Sequence, residues 1–153
     1  MLENKADLRT VGMKLLAKRE YASLEFQKKL LQKFPEKTEE IRTLVSEFQE
    51  KNWLSDERMT EAFIHDQVAF TKIGPLKIEL KLRAKGISPE VIHSVMNRVF
   101  PASAQQEIIH ALATKKYAEI KQHGKTKNES EIRQKVQRFL IGKGFGWEEV
   151  KDV

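Results

Sequence analysis

Of 153 residues, 28 are Lys or Arg and 22 are Asp or Glu, and their spacing decides what chemistry the chain can do. Lys77, Lys81 and Lys85 recur at every fourth position, which on a helix makes one basic stripe, and Lys72 stands just before it. A second set, Lys115, Lys116, Lys121, Lys125, Lys127, Arg133, Lys135, Arg138 and Lys143, gives residues 115–143 a net charge of +6. Such cations track phosphates or an acidic protein surface. Each phosphate neutralised contributes about −0.7 to the log–log salt slope on a single strand. Residues 1–38 and 72–98 each carry +4, whereas 39–66 carry −5. Charge segregated in this way fits an elongated protein with faces of different sign.

Other chemistries find fewer residues. His65, His93, His110 and His123 show no H-x-x-x-H or H-E-x-x-H spacing, and zero cysteines remove thiolate ligands, disulfides and a cysteine nucleophile. No metal site and no cofactor is expected. His65 and Asp66 are neighbours in sequence and point to different sides of a helix. Glu47, Glu50, Asp56, Glu57 and Glu61 read as solvated helix faces, not paired catalytic carboxylates. Neither G-x-x-x-x-G-K-[ST] nor G-x-G-x-x-G occurs, and Gly142-Lys-Gly-Phe-Gly146 reads as a helix stop. The residues point to binding, not to an enzyme.

What positions these lysines is a repeat. Leu82-Arg-Ala-Lys-Gly86 returns as Leu140-Ile-Gly-Lys-Gly144, and aligning the two exposes a weaker third copy. Phe26, Leu30 and Lys33 correspond to Ile78, Leu82 and Lys85 and to Val136, Leu140 and Lys143, with copies 52 and 58 residues apart. Each continues into an acidic-aliphatic pair: Glu40-Ile41, Glu90-Val91 and Glu149-Val150. Repeats of this length, each holding three helical patterns, imply stacked supersecondary units that share apolar faces. The fold class is therefore all-α: three tandem three-helix units, about nine helices, elongated and curved. The expected bounds are 1–54, 55–100 and 101–153.

Helix signals mark the interior of each unit. Residues about 5 to 19 form a basic amphipathic segment with Leu8, Val11, Leu15 and Leu16; Ser23 and Thr38 begin the next two helices, and Ser55 opens the second unit with a helix to about Phe70. Gly74-Pro75 and Ser88-Pro89 place proline at a first helical position, and Gly86 and Gly144 stop helices. Ser103-x-x-Gln106 and Asn128-x-x-Glu131 read as capping boxes. PLKIELKLRAK alternates like a strand, but its Gly-Pro start, Gly stop and wealth of Leu, Lys and Glu make it a helix. On that helix Leu76 and Leu80 form one apolar line and Ile78 and Leu82 another nearly opposite, so packing on two sides is expected, with Glu79 four residues before Arg83. Phe139 reads as core, Phe145 and Trp147 as locks on the last link, and Trp53-Leu54 as a packing staple.

With 40% apolar residues and 33% charged, the composition is that of a helix-rich globular chain. No apolar run reaches membrane-spanning length, and Met1–Thr10 lacks the apolar stretch of a secretory signal, so a cytoplasmic protein with no membrane partner is expected.

Three phrases in order, Trp53-Leu-Ser-Asp56, Gly74-Pro75-x-x-Ile78 leading to Lys85-Gly-Ile87, and Lys135-Val-Gln-Arg-Phe-Leu140 leading to Lys143-Gly-Phe145, resemble the RecX regulators of the RecA recombinase. The resemblance covers roughly residues 10 to 153. It implies a curved protein lodged in the groove of the RecA filament on single-stranded DNA, limiting filament growth or promoting disassembly and so damping strand exchange and co-protease activity. Lys81 stands where the family usually has Glu, Met59 where it has Phe, and VAFTKI (68–73) replaces an Arg-rich approach to Gly-Pro. Two alternatives stay open: the approach makes no partner contact here, or the basic role has moved to Lys72, Lys77 and Lys81. The expected contact set is Lys72, Lys77, Lys81, Lys85, Lys115, Lys116, Lys121, Arg133, Lys135, Arg138 and Lys143, acting in a monomer that also touches DNA. Two other readings stay open: a basic helical nucleic-acid-binding protein without a recombinase partner, and a purely structural helical adaptor.

Overall fold

The computed structural model describes residues 7–153. The part of the first amphipathic segment that precedes residue 7 lies outside the described residues. These form α1 (Leu8–Lys18), α2 (Ser23–Lys33), α3 (Thr38–Glu50), α4 (Asp56–Asp66), a π-turn (Gln67–Thr71), α5 (Pro75–Ala84), α6 (Pro89–Val99), α7 (Ala102–His123), α8 (Glu129–Gly142) and α9 (Trp147–Val150), with no strand among the described residues. The architecture is all-α, in tandem helix triplets.

Local chemistry explains most of the boundaries. Side-chain oxygens of Asp7, Ser55, Ser88 and Asn128 accept from backbone N–H groups in the first turns of α1, α4, α6 and α8. Gly86 (φ +85°) and Gly144 (φ +101°) terminate α5 and α8 in the left-handed region. There Ile87 N donates to Leu82 O and Phe145 N to Leu140 O, both at 3.2 Å, which satisfies carbonyls the helix leaves open. The Ser103 box does not form. Helix α7 starts two residues earlier, behind Pro101 with φ −66°, whose fixed backbone sets the helix entry without a side-chain cap. Asn128 caps α8, but Glu131 turns to the Thr126 hydroxyl instead of back to the cap.

The equivalent repeat positions are the buried ones. Phe26, Leu30, Ile78, Leu82 and Leu140 are fully enclosed and Val136 nearly so. The core divides in two. One cluster joins Leu8, Val11, Tyr21, Phe26, Leu30, Ile41, Leu44, Phe48 and Leu54, all from the first triplet and its exit. The other runs from Met59 through Ile78, Leu82, Ile92, Ile109, Val136 and Phe145 to Val150, and takes Ala22 from the first triplet. The total accessible surface is 10042 Å², against about 8,000 Å² for a compact monomer of this mass. Small triplets stacked in series leave that extra surface open.

Two apolar expectations need correction. Helix α5 packs on one side only: Ile78 and Leu82 are buried, while Leu76 and Leu80 are 54% and 68% exposed. Among the described residues no neighbouring element covers the second line. Trp147 is likewise 54% exposed, so Phe145 alone locks the last link. Of the Trp53-Leu54 pair, Leu54 is buried; Trp53 lies over the core edge with its ring centroid 5.4 Å from that of Phe48 and the Lys51 ammonium 4.8 Å from it. Phe139 is half-buried against the second cluster.

Candidate binding surface

The basic residues divide according to whether the fold has already used them. Lys85, at the end of α5, is used. Its Nζ lies 3.3 Å from Glu25 Oε2 on α2, and Arg19 reaches Glu25 Oε1 at 3.0 Å. Burial alone would raise the Glu25 pKa, but the Arg19 hydrogen bond and the charges of Lys85 and Arg19 outweigh it and hold the carboxyl below its ordinary value. The Lys85 ammonium also sits 5.6 Å from the Phe63 ring centroid. Beside this triad Leu24 covers Gly86 so closely that a Cβ there would come within 2.4 Å of Leu24 Cδ2. Arg58 completes the joint, donating to Glu20 Oε1 at 2.6 Å and to the carbonyls of Asn52 and Trp53. The first two triplets are therefore joined by charge.

The second joint uses backbone. Gly74 N donates to Lys143 O at 2.7 Å and Leu76 N to Gly144 O at 3.0 Å, so the carbonyls that immediately follow α8 cap the start of α5. A Cβ on Gly74 would lie 2.4 Å from Gly144 C and O, and one on Gly144 would lie 2.8 Å from Lys77 Cβ. This close approach is what the paired Gly-Pro and Lys-Gly phrases build. The repeat places Lys77 at the position of Glu25, and Lys143 at that of Lys85. Where the first joint has a salt bridge, the second has two cations. Lys143 Nζ turns to Thr71 O at 2.8 Å and Lys81 Nζ to Gln67 Oε1 at 3.2 Å, both on the π-turn. That turn closes with Lys72 N donating to Gln67 O at 2.9 Å and leaves exposed Lys72 in the left-handed region, φ +51°. Lys72, Lys77, Lys81 and Lys143 thus gather around the π-turn and α5. Among the described residues none of them has a carboxylate at ion-pair distance.

The third-triplet cations divide in the same way. Arg133 is taken up by main chain, with Nε 2.7 Å from Val153 O and Nη2 3.2 Å from Lys151 O. Lys116 lies 3.2 Å from Glu119 and over the Phe139 ring. Lys121 pairs with Glu129 at 3.1 Å. Interaction with the Tyr117 hydroxyl, then with Glu129, raises the Lys121 pKa; Tyr117 donating at 2.6 Å, then Lys121, lowers that of Glu129. Lys115, Lys135 and Arg138 are exposed and, among the described residues, have no carboxylate at ion-pair distance. A groove of about 910 Å³ between α7, α8 and the last residues has Glu129, Glu149 and Asp152 on its lining against one cation, Arg133, which main-chain carbonyls already hold, and this balance disfavours a phosphate there.

Sequence reasoning missed three things. Glu47 and Glu61 are not merely solvated: Glu47 ties Arg9 of α1 to α3 at 2.6 Å, and Glu61 ties Arg98 of α6 to α4 at 3.1 Å. Asp56 accepts from Ser23 N at 2.7 Å across the first joint. The third is the open Leu76–Leu80 line, which the alternating pattern of that segment already carried. The expected Glu79–Arg83 pair forms at 2.8 Å.

Residues 55–96 match the sequence profile of the RecX second three-helix domain, and residues 103–153 that of the RecX third three-helix domain. Regulatory protein RecX of Legionella pneumophila (strain Corby) is 34% identical over 136 residues, covering 88% of this chain and 83% of the relative. The chain belongs to the RecX family. The RecX protein of Mannheimia succiniciproducens is 31% identical over 143 residues, covering 92% of this chain and 88% of its own. That of Lactococcus lactis subsp. cremoris (strain MG1363) is 28% identical over 123 residues, and this chain spans 45% of its length. The crystal structure of RecX from Lactobacillus salivarius superposes with a TM-score of 0.86 over 95% of this chain and 90% of that one, at 17% identity, so the shared feature is the fold. Among the described residues no helix is long and apolar enough to cross a membrane.

Proposed function

We propose that this RecX-family chain binds the RecA nucleoprotein filament on single-stranded DNA and lowers its ATPase, strand-exchange and co-protease activities. It acts as a cytoplasmic, non-catalytic monomer built of units spanning residues 1–54, 55–100 and 101–153. The observation that carries this reading is the split among its cations within a regulatory-protein family. Lys85 and Arg133 are consumed by the fold, while Lys72, Lys77, Lys81 and Lys143 around the second joint, and Lys115, Lys135 and Arg138 beyond it, have no carboxylate partner among the described residues. Cations that the fold does not neutralise, two of them (Lys81 and Lys143) anchored to the π-turn, suit a partner with distributed negative charge. A filament groove offers both acidic protein surface and DNA phosphate.

Substoichiometric amounts of the chain are expected to lower the DNA-dependent ATPase of the cognate RecA. No effect at stoichiometric excess contradicts the proposal. The open bases of the third triplet also support a second reading, general nucleic-acid binding without a recombinase. That reading requires tight, steeply salt-dependent affinity for bare DNA, and only weak affinity at moderate salt removes it.

A further inference from the structure

Helix α5 turns an apolar row to solvent: Leu76 at 54% exposure, Leu80 at 68%, and exposed Ala84 at the following fourth position. Lys77 and Lys81 run beside it as the adjoining row, and the two rows together form the open side of the helix opposite buried Ile78 and Leu82.

The other two triplets act as internal controls for what the scaffold requires here. At the position of Leu80, α2 has Lys28 and α8 has Arg138, both exposed. The fold builds this helix twice with a charge at that site, so packing does not explain a leucine. At the position of Leu76, α8 has exposed Gln134, whereas Leu24 of α2 covers Gly86 in the first joint. In the second joint the stem of Lys77, not Leu76, lies against the equivalent Gly144. Leu76 is thus released from the task its counterpart performs, and Leu80 has no such task in any triplet.

From this we infer that the open face of α5 docks a protein segment bearing apolar side chains together with carboxylates. Phosphodiester backbone satisfies Lys77 and Lys81 equally well but leaves two leucines in water, whereas an acidic amphipathic segment satisfies both rows. Charge complementarity and the apolar row select the same occupant. The inference rests on the filament-binding function proposed above and divides its contacts: α5 meets a recombinase subunit, while Lys135 and Arg138 on α8, with no leucines at the equivalent positions, meet DNA.

Two double variants test this, each compatible with the scaffold by precedent or by size: L76Q/L80R, which installs the residues of α8, and L76A/L80A. Affinity is measured for the RecA filament and for bare single-stranded DNA at one salt concentration, and circular dichroism follows the thermal midpoint. Both variants are expected to keep the parent midpoint and, within about twofold, the parent affinity for bare DNA. Each is expected to lose roughly tenfold or more in filament affinity, because docking would bury two leucines that are now exposed. L76Q/L80R loses it despite its added positive charge. Parent-like filament binding by both variants overturns the inference alone. Stronger binding of L76Q/L80R to filament and DNA together overturns it in favour of phosphate as the occupant. Failure of the parent chain to bind the filament overturns the proposed function, and this inference with it.

Discussion

The two joints between successive triplets occupy equivalent positions and use opposite chemistry. At the first, Glu25 on α2 meets Lys85 and Arg19, and a leucine covers Gly86. At the second, Lys77 takes the place of Glu25 and lies against Gly144, while backbone carbonyls of Lys143 and Gly144 hold α5. A joint made by side-chain charge consumes its cations. One made by backbone hydrogen bonds leaves them available. The basic surface of the second and third triplets thus depends on how the joint is built as well as on how many lysines the chain contains.

The most damaging changes are expected at the backbone joint. Gly144→Ala places a Cβ on Lys77 and in a backbone conformation that only glycine adopts cheaply, and Gly74→Ala drives one into the α8 terminus. Each should cost about 2–4 kcal/mol and lower the thermal midpoint by roughly 4–16 °C. Midpoints within a degree of the parent would remove the close approach from the account. Next comes Lys85→Glu, which sets like charges together at the ionic joint. A loss of about 1 kcal/mol is expected for this partly buried pair, read as a fall of roughly 2–4 °C. Lys77→Glu transplants the ionic pair into the second joint by placing a carboxylate near Lys143. It should raise the midpoint slightly, by no more than about 2 °C. A lowered midpoint would show that the two joints are not interchangeable.

The smallest expected effect is of pH. Glu25 has a folded pKa below its ordinary 4.5, so in the window between these values the unfolded chain binds the extra proton and stability rises with pH. The contribution of Glu25 is fully present above about pH 4.5 and disappears as pH falls through the folded value. Other carboxylates titrate in the same range, so the informative quantity is the difference in midpoint between parent and Glu25→Gln. That difference should shrink below pH 4.5 and be constant from pH 5 to 7.

Much of this organisation was legible in the sequence. The spacing of Phe26, Ile78 and Val136 marked three equivalent buried positions, and Gly-Pro and Lys-Gly phrases marked helix ends, because both signals are local and steric. Family resemblance then supplied a partner class. What stayed hidden depended on contacts far apart in the chain. Glu25 and Lys85 are 60 residues apart, so nothing near Lys85 distinguished it from Lys81, and the two entered the expected contact set on equal terms. Glu47 and Glu61 looked solvated for the same reason, their partners lying 38 and 37 residues away. The doubly packed α5 failed differently. Helical geometry correctly divided its apolar residues into two lines, but only the tertiary arrangement decided that one of them would be left uncovered.

The division of lysines between fold and partner is tested most directly by one paired titration: filament affinity and thermal midpoint for Lys77→Glu/Lys81→Glu beside Lys85→Ala. The first variant is expected to lose about tenfold or more in filament affinity at an unlowered midpoint, and the second to lose midpoint while keeping parent affinity. Equal losses of affinity in both, or none in either, would contradict the claim that the second joint leaves its lysines for a partner while the first spends Lys85 on the fold.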